Sequence, residues 1–99
     1  MALSKNQIRF LLAKCHGLKP VVLMGQKGLT EELLNELDHA LNDHELVKIK
    51  LSADDKKARV QLVSEICDRS NSEEIQTIGK MLSVYRANPE KPVIHLPKD

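Results

Sequence analysis

The sequence predicts a single compact α/β (α+β) domain over residues 1–99, with its elements in the order α-β-α-β-α-β-β. Three observations support this. Apolar residues recur at helical spacing in three segments, short apolar or alternating runs separate those segments, and 99 residues suit one hydrophobic core. We expect a four-stranded mixed sheet with the helices mainly on one face.

The N-terminal part of the chain predicts a helix followed by a strand. Ser4 can cap a helix whose apolar stripe includes Leu11 and Cys15, and Gly17 suits the position after its end. Residues 21–24 form a continuous apolar run of strand length. Continuous apolar runs are typical of strands buried on both faces, so a central strand is expected here.

The second helix and second strand follow in the same way. Thr30 is a suitable N-cap, and acids in the first turn favour a helix that ends near residues 42–44. In ELVKIKL, residues 45–51, apolar residues alternate with Lys48 and Lys50. The alternation predicts a strand whose even-numbered side is basic and solvated.

The remaining chain predicts one helix and two strands. Ser52 or Asp54 can cap the helix, which should end before residues 70–72. Residues 75–86 are rich in strand-forming residues and predict one strand, in which Gly79 marks a bulge or a close approach of another backbone. Within the Pro-containing segment 90–99, we expect a short final strand at residues 93–96.

The net charge of +1 conceals a segregation of charge along the chain. Residues 1–29 carry five Lys or Arg and no acid, whereas residues 30–46 carry six acids and neither Lys nor Arg. Such segregation allows one basic face on a nearly neutral molecule, which a selective binder of polyanions can use. Only Phe10 and Tyr85 are aromatic, which disfavours RNA recognition by stacking over several rings, and we expect Tyr85 to be structural.

Several classes of function find no motif in the sequence. Cys15 and Cys67 form no CxxC pair, and the four histidines lack metal-ligand spacing. The longest apolar run near the N-terminus, FLLA, is too short for a signal sequence or a membrane span. We therefore expect a cytoplasmic monomer that is not an enzyme, with no catalytic residues, metal, cofactor, small-molecule substrate or membrane partner.

The glycine-flanked segment GQKG, residues 25–28, joins the first strand to the second helix. Missing side chains let a phosphate backbone approach, amides at a helix start donate hydrogen bonds, and a lysine adds charge. On these four residues alone, a turn that uses glycine only for its backbone remains the stronger alternative. Glu31 and Glu32 would repel a phosphate, so an anion is expected at the tip of the loop.

Several motifs occur together in the order of a known family. They are LKP at residues 18–20, GQKG, HELVKIK at residues 44–50, IGK at residues 78–80 and YR at residues 85–86. Over about residues 3–97 the chain resembles the CRM RNA-binding domain family, and in particular its stand-alone bacterial YhbY-type members. The resemblance implies a fold similar to the C-terminal domain of translation initiation factor three.

The resemblance also implies a function. A KH-like loop formed by Gly25, Gln26, Lys27 and Gly28 would contact RNA backbone, and the RNA would be ribosomal RNA in precursors of the large ribosomal subunit. The protein would then be an assembly factor. Seven basic residues are candidates to extend the RNA contact: Lys5, Arg9, Lys14, Lys19, Lys48, Lys50 and Arg86.

Two other hypotheses belong to different functional classes. A protein-protein adaptor could reach the same particle through the acidic second helix or an uncovered sheet face, without contacting RNA. A small enzyme could use Cys15 or a histidine, although adjacency of Cys15 and His16 in sequence does not make a catalytic pair.

Overall fold

The computed structural model describes residues 3–98, in which three helices and a four-stranded sheet form the fold. The elements are α1 (Lys5–Cys15), β1 (Val22–Leu23), α2 (Glu31–His44), β2 (Leu46–Lys50), α3 (Lys56–Ser70), β3 (Glu73–Ile78) and β4 (Met81–Tyr85). The sheet has the order β1-β2-β4-β3, with β1 parallel to β2 and the other neighbours antiparallel. The predicted α+β class and four-stranded mixed sheet are confirmed. The order α-β-α-β-α-β-β also matches, but the last two strands lie at other residues than predicted.

Each helix begins at a side chain that caps it. Ser4, Thr30 and Asp55 each accept a hydrogen bond from the backbone N–H three residues later, at 3.1, 3.1 and 3.2 Å. The first two are the predicted caps. The predicted cap of α3, Ser52 or Asp54, is wrong, and the Asp54 carboxylate instead pairs with the amino group of Lys80.

Two hydrophobic cores lie on opposite faces of the sheet, so the expectation of one core is wrong. The larger core joins α2 and α3 to the strands and includes Val47 and Val84, whereas the smaller core joins α1 to Leu46 and Tyr85. Because successive residues of a strand point to opposite faces, α1 lies on the face opposite to α2 and α3. Two of the three helices thus share one face, and the third partly covers the other.

The prediction that the even-numbered side of β2 is solvated is wrong for most of the strand. Leu46 is buried and Lys48 is half-buried, whereas only Lys50 is exposed. A lysine can extend its charged end past a covering helix, so its presence in an alternating pattern does not require an open face.

The strand β1 lies at the edge of the sheet, which corrects the prediction of a central strand. Val22 is buried in the core beneath α2, whereas Val21 and Leu23 are 53% and 62% exposed. The apolar run therefore has one covered side and one open side. Sequence could not distinguish these sides because both carry aliphatic residues.

The strands β3 and β4 form a hairpin, so the predicted single strand over residues 75–86 is wrong. Gly79 is the first of the two residues that join them and has φ +57°, the left-handed backbone that such hairpin turns favour at this position. The bulge lies within β3 instead, after Glu74.

Residues 93–96 do not form the predicted strand, because a buried carboxylate holds their segment. Glu45 is 1% exposed and follows α2 directly. Its side chain accepts hydrogen bonds from the N–H groups of Asn88 (2.5 Å), Val93 (2.8 Å) and Ile94 (2.6 Å). Burial raises the pKa of this carboxyl, but the three backbone hydrogen bonds and a nearby histidine lower it by more, so its pKa lies below the ordinary value.

Candidate nucleic-acid interface

The GQKG turn, residues 25–28, exposes its two central side chains between β1 and α2. The N–H of Gly28 donates a hydrogen bond to the carbonyl oxygen of Gly25 at 3.1 Å, which closes a four-residue turn. Gln26 and Lys27 are exposed at its tip. Because Thr30 caps α2 just behind, the turn lies near the positive end of the α2 dipole.

The two glycines of the turn have different roles. Gly28 has φ +72°, a conformation that residues with a side chain rarely adopt, so the fold itself requires glycine there. Gly25 has no positive φ, and a methyl group added to it would meet no atom within 4 Å. The fold therefore tolerates a side chain at residue 25, and a need for glycine there would come from a ligand.

The GQKG turn borders an acidic surface on one side and a basic surface on the other. Beside the turn is a recess whose α2 wall carries Glu32 and Glu36. Leu23 forms the sheet wall of the same recess, and Lys50 is its cross-strand neighbour. Carboxylates repel a polyanion, so a polyanion would not approach the turn along α2. It could approach from the tip of the turn or from the sheet side, where Lys50 lies.

Three of the predicted basic residues, Lys14, Lys19 and Lys48, line one groove between α1 and the β1-β2 edge. We call it the lysine groove. None of the ten described residues that line this groove is acidic. Lys48 Nζ donates to the carbonyl oxygen of Cys15 at 3.0 Å, and Lys14 Nζ lies 5.1 Å from the centre of the Phe10 ring. Lys19 is exposed.

Lys5 and Arg9 are exposed on a different side of α1. The helical rotation places Lys5 and Arg9 about 40° apart, but it separates Arg9 from Lys14 by about 140°. The fold thus divides the predicted basic residues of α1 into two groups. Only Lys14 belongs to the lysine groove.

Arg86 connects three elements of the fold. Its guanidinium donates hydrogen bonds to the carbonyl oxygen of Ser70 at 2.9 Å and to the side-chain oxygen of Asn42 at 3.0 Å. It also lies 3.0 Å from a carboxylate oxygen of Asp38. Its side chain is only 21% exposed. Arg86 follows β4 where β2 begins, at the opposite end of the sheet from the GQKG turn. Its guanidinium is bound to these partners and lies far from the GQKG turn.

Tyr85 and Cys15 belong to the smaller core. Tyr85 is 6% exposed within this core, which confirms the predicted structural role, and burial raises the pKa of its hydroxyl. Cys15 is completely buried, which keeps its thiol away from any substrate. Within residues 3–98, no cluster of three His, Cys, Asp or Glu side chains could hold a metal ion. The helices of that segment are too short or too polar to cross a membrane.

Glu45 is the residue that sequence reasoning missed. It holds the C-terminal segment in place, and Ile94 of that segment forms part of the lysine groove. The available signal was the position of Glu45 between the end of a helix and an apolar strand. Its odd number places it on the side of the alternating pattern that carries the apolar residues. Its three backbone partners lie more than forty residues away in the chain, so no local pattern could identify them.

The fold is a small α+β domain whose GQKG turn exposes Gln26 and Lys27 at the start of a capped helix. A family model described as the CRS1 / YhbY (CRM) domain matches residues 3–86. The chain therefore belongs to the CRS1/YhbY (CRM) family and is an RNA-binding protein of that family.

Relatives from other bacteria carry names that refer to RNA. A Pseudomonas aeruginosa protein named a probable RNA-binding protein is 47% identical over 91% of this chain and 86% of its own length. A Haemophilus influenzae protein named an RNA-binding protein is 40% identical over 97% of this chain and 96% of its own. These names refer to RNA binding and not to a catalytic activity.

A solved structure shares the fold. The solution structure of a hypothetical Staphylococcus aureus protein, proposed to bind RNA, covers 97% of this chain with a TM-score of 0.82. The alignment includes 100% of that protein and has 28% sequence identity.

Proposed function

We propose that this protein binds RNA backbone through the GQKG turn and a basic surface that continues from it over Lys50 and the lysine groove. We further propose that the RNA is ribosomal RNA in a precursor of the large ribosomal subunit, and that the protein acts in the cytoplasm as a non-catalytic assembly factor. The observation that carries this proposal is the exposure of Gln26 and Lys27 on a closed glycine turn at the start of a capped helix.

Each part of the turn has a physical task in this proposal. Gly25, which the fold does not require, lets a phosphate approach the backbone. Lys27 supplies a charged donor, and Gln26 supplies an amide that can donate or accept a hydrogen bond. Glu32 and Glu36 prevent the RNA from lying along α2 and direct it towards the sheet side.

The direct test is the binding of Lys27→Glu to RNA, with Lys91→Glu as the matched control. Lys91 is also exposed, but it lies in the C-terminal segment that Glu45 holds near the end of α2, away from the turn. A charged hydrogen bond contributes about 1.5–3 kcal/mol, so Lys27→Glu should lower RNA affinity by about tenfold or more. Lys91→Glu should have a much smaller effect, and both variants should unfold at the same urea concentration as the parent protein. Equal affinity of the two variants would contradict the role of the turn.

The ribosomal part of the proposal has a separate test. Crosslinking in cells, followed by sequencing of the attached RNA, should recover large-subunit ribosomal RNA, and Lys27→Glu should reduce its yield. The rival function is the protein-protein adaptor, which the exposed acids of α2 would serve. RNase treatment of precursor particles distinguishes the two, because an adaptor should remain bound after the RNA is digested.

A further inference from the structure

One row of side chains crosses all four strands on the sheet face that carries α1, and it is not covered by that helix. The strand register places Leu23 beside Lys50, Lys50 beside Met81, and Met81 beside Ile78. We call these four residues the open row. With strands about 4.8 Å apart, the open row is roughly 14 Å long.

The open row is more exposed than the row at the other end of the same sheet face. In the row that contains Leu46 and Tyr85, both side chains are buried beneath α1. In the open row, Leu23 is 62% exposed and Ile78 is 64% exposed. Cover on this face thus ends before the strands do. Leu23 and Ile78 face solvent at the two ends of the open row, Lys50 is exposed, and Met81 between them is half-buried.

The position and charge of the open row favour a polyanion as its occupant. Leu23 lines the recess beside the GQKG turn, so the open row begins next to that turn. Lys50 lies within the row, and the neighbouring row contains Lys48, Ser83 and Gln76. These two rows contain basic, neutral polar and aliphatic side chains without a carboxylate.

We propose that the open row binds the bases of a single-stranded RNA segment whose backbone lies at the GQKG turn. This inference rests on the proposed function and specifies the RNA class that the same interface accepts. A duplex presents phosphates and recessed base edges, so exposed aliphatic side chains gain no contact from it, whereas unstacked bases have apolar faces that cover them. The length of the open row accommodates about two or three bases, as four-stranded RNA-binding sheets do.

The aliphatic character of the open row also determines how it recognises RNA. Leu23, Met81 and Ile78 offer contact area to any base face, but they lack donors and acceptors that would read base edges. The open row therefore supports binding that distinguishes single strands from duplexes with little preference for sequence. An aromatic ring placed in the row should strengthen this binding, because stacking of a base on an aromatic ring is favourable.

The test measures fluorescence anisotropy with a labelled single-stranded RNA of mixed sequence, about twelve nucleotides long, and with the duplex that it forms with its complement. The key variant is Ile78→Tyr, and Val60→Tyr is its control. Val60 has the same 64% exposure but lies on α3, on the other side of the sheet. Ile78→Tyr should tighten single-strand binding by about fivefold or more and leave duplex binding unchanged, whereas Val60→Tyr should change neither. An increase in affinity cannot result from misfolding.

Ile78→Thr completes the design, because threonine keeps the β-branched shape and removes apolar area. It should weaken single-strand binding about threefold.

Equal affinity of the parent protein for single strand and duplex would overturn the inference, as would unchanged single-strand binding in both Ile78 variants. If Lys27→Glu weakens RNA binding while both Ile78 variants have no effect, the inference fails and the proposed function remains. If Lys27→Glu has no effect, both fail. Retention of precursor particles after RNase treatment, with loss of that retention in Ile78→Tyr, would assign the open row to a protein and overturn the inference.

Discussion

Replacement of the two glycines of the GQKG turn, one at a time, separates the demands of the fold from those of the ligand. At Gly28, with φ +72°, alanine should lower the free energy of unfolding by about 1 kcal/mol, because the left-handed conformation disfavours a side chain. At Gly25 the backbone is not left-handed and the added methyl meets no atom within 4 Å. Gly25→Ala should therefore leave stability unchanged or raise it by a few tenths of a kcal/mol, because alanine restricts the unfolded chain.

RNA affinity should show a different pattern. A methyl group at residue 25 would displace a phosphate that approaches the backbone, and loss of one such contact corresponds to about tenfold in affinity. Urea unfolding gives the stabilities, and fluorescence anisotropy with labelled RNA gives the affinities. If Gly25→Ala binds RNA as tightly as the parent protein, the argument that Gly25 provides close approach to RNA is refuted. A Gly28→Ala protein as stable as the parent would refute the backbone argument for Gly28.

The remaining predictions concern residues that hold the fold together. Glu45→Gln should lower the free energy of unfolding at pH 7 by about 2–4 kcal/mol, because one amide oxygen cannot replace a carboxylate that accepts three backbone hydrogen bonds. The folded-state pKa of Glu45 lies below its ordinary value of 4.5, so its contribution to stability is present above that pH and is lost as the pH falls through the folded-state value. Urea unfolding from pH 7 to pH 3 should therefore show a smaller loss for Glu45→Gln than for the parent, and parallel curves would contradict this. Arg86→Met should lower the free energy of unfolding by about 2 kcal/mol through loss of its contacts with α2 and α3, while RNA affinity measured on the folded protein stays within twofold. A selective loss of RNA binding by Arg86→Met would place that side chain in the interface after all.

Much of the fold could be predicted from local patterns because helices and strands have short periods. The apolar stripe of α1, the caps Ser4 and Thr30, and the alternation in β2 all depend on residues within a few positions of one another. The hairpin of β3 and β4 was missed for a related reason. A glycine inside an apolar run can indicate either a bulge or a turn, and the choice depends on which strand pairs with which.

The candidate site was only partly predictable. The residues of the GQKG turn are contiguous, so the sequence alone was enough to propose them as a candidate site, and motif order indicated the family. The division of the basic residues was not predictable, because it depends on where α1 lies on the sheet. That placement brings Lys14, Lys19 and Lys48 to one groove, and Arg86 is instead bound at the far end of the sheet.

The sequence by itself determined the three helices, the first two strands, the residue types of the GQKG turn and the segregation of charge, because each is a property of neighbouring residues. Only the tertiary structure shows that the fold requires glycine at residue 28 but would tolerate a side chain at residue 25, because this depends on backbone angles and free space. It also decided which aliphatic residues remain uncovered. Leu23 and Ile78 lie fifty-five residues apart in the chain, and only strand pairing places them in the same row.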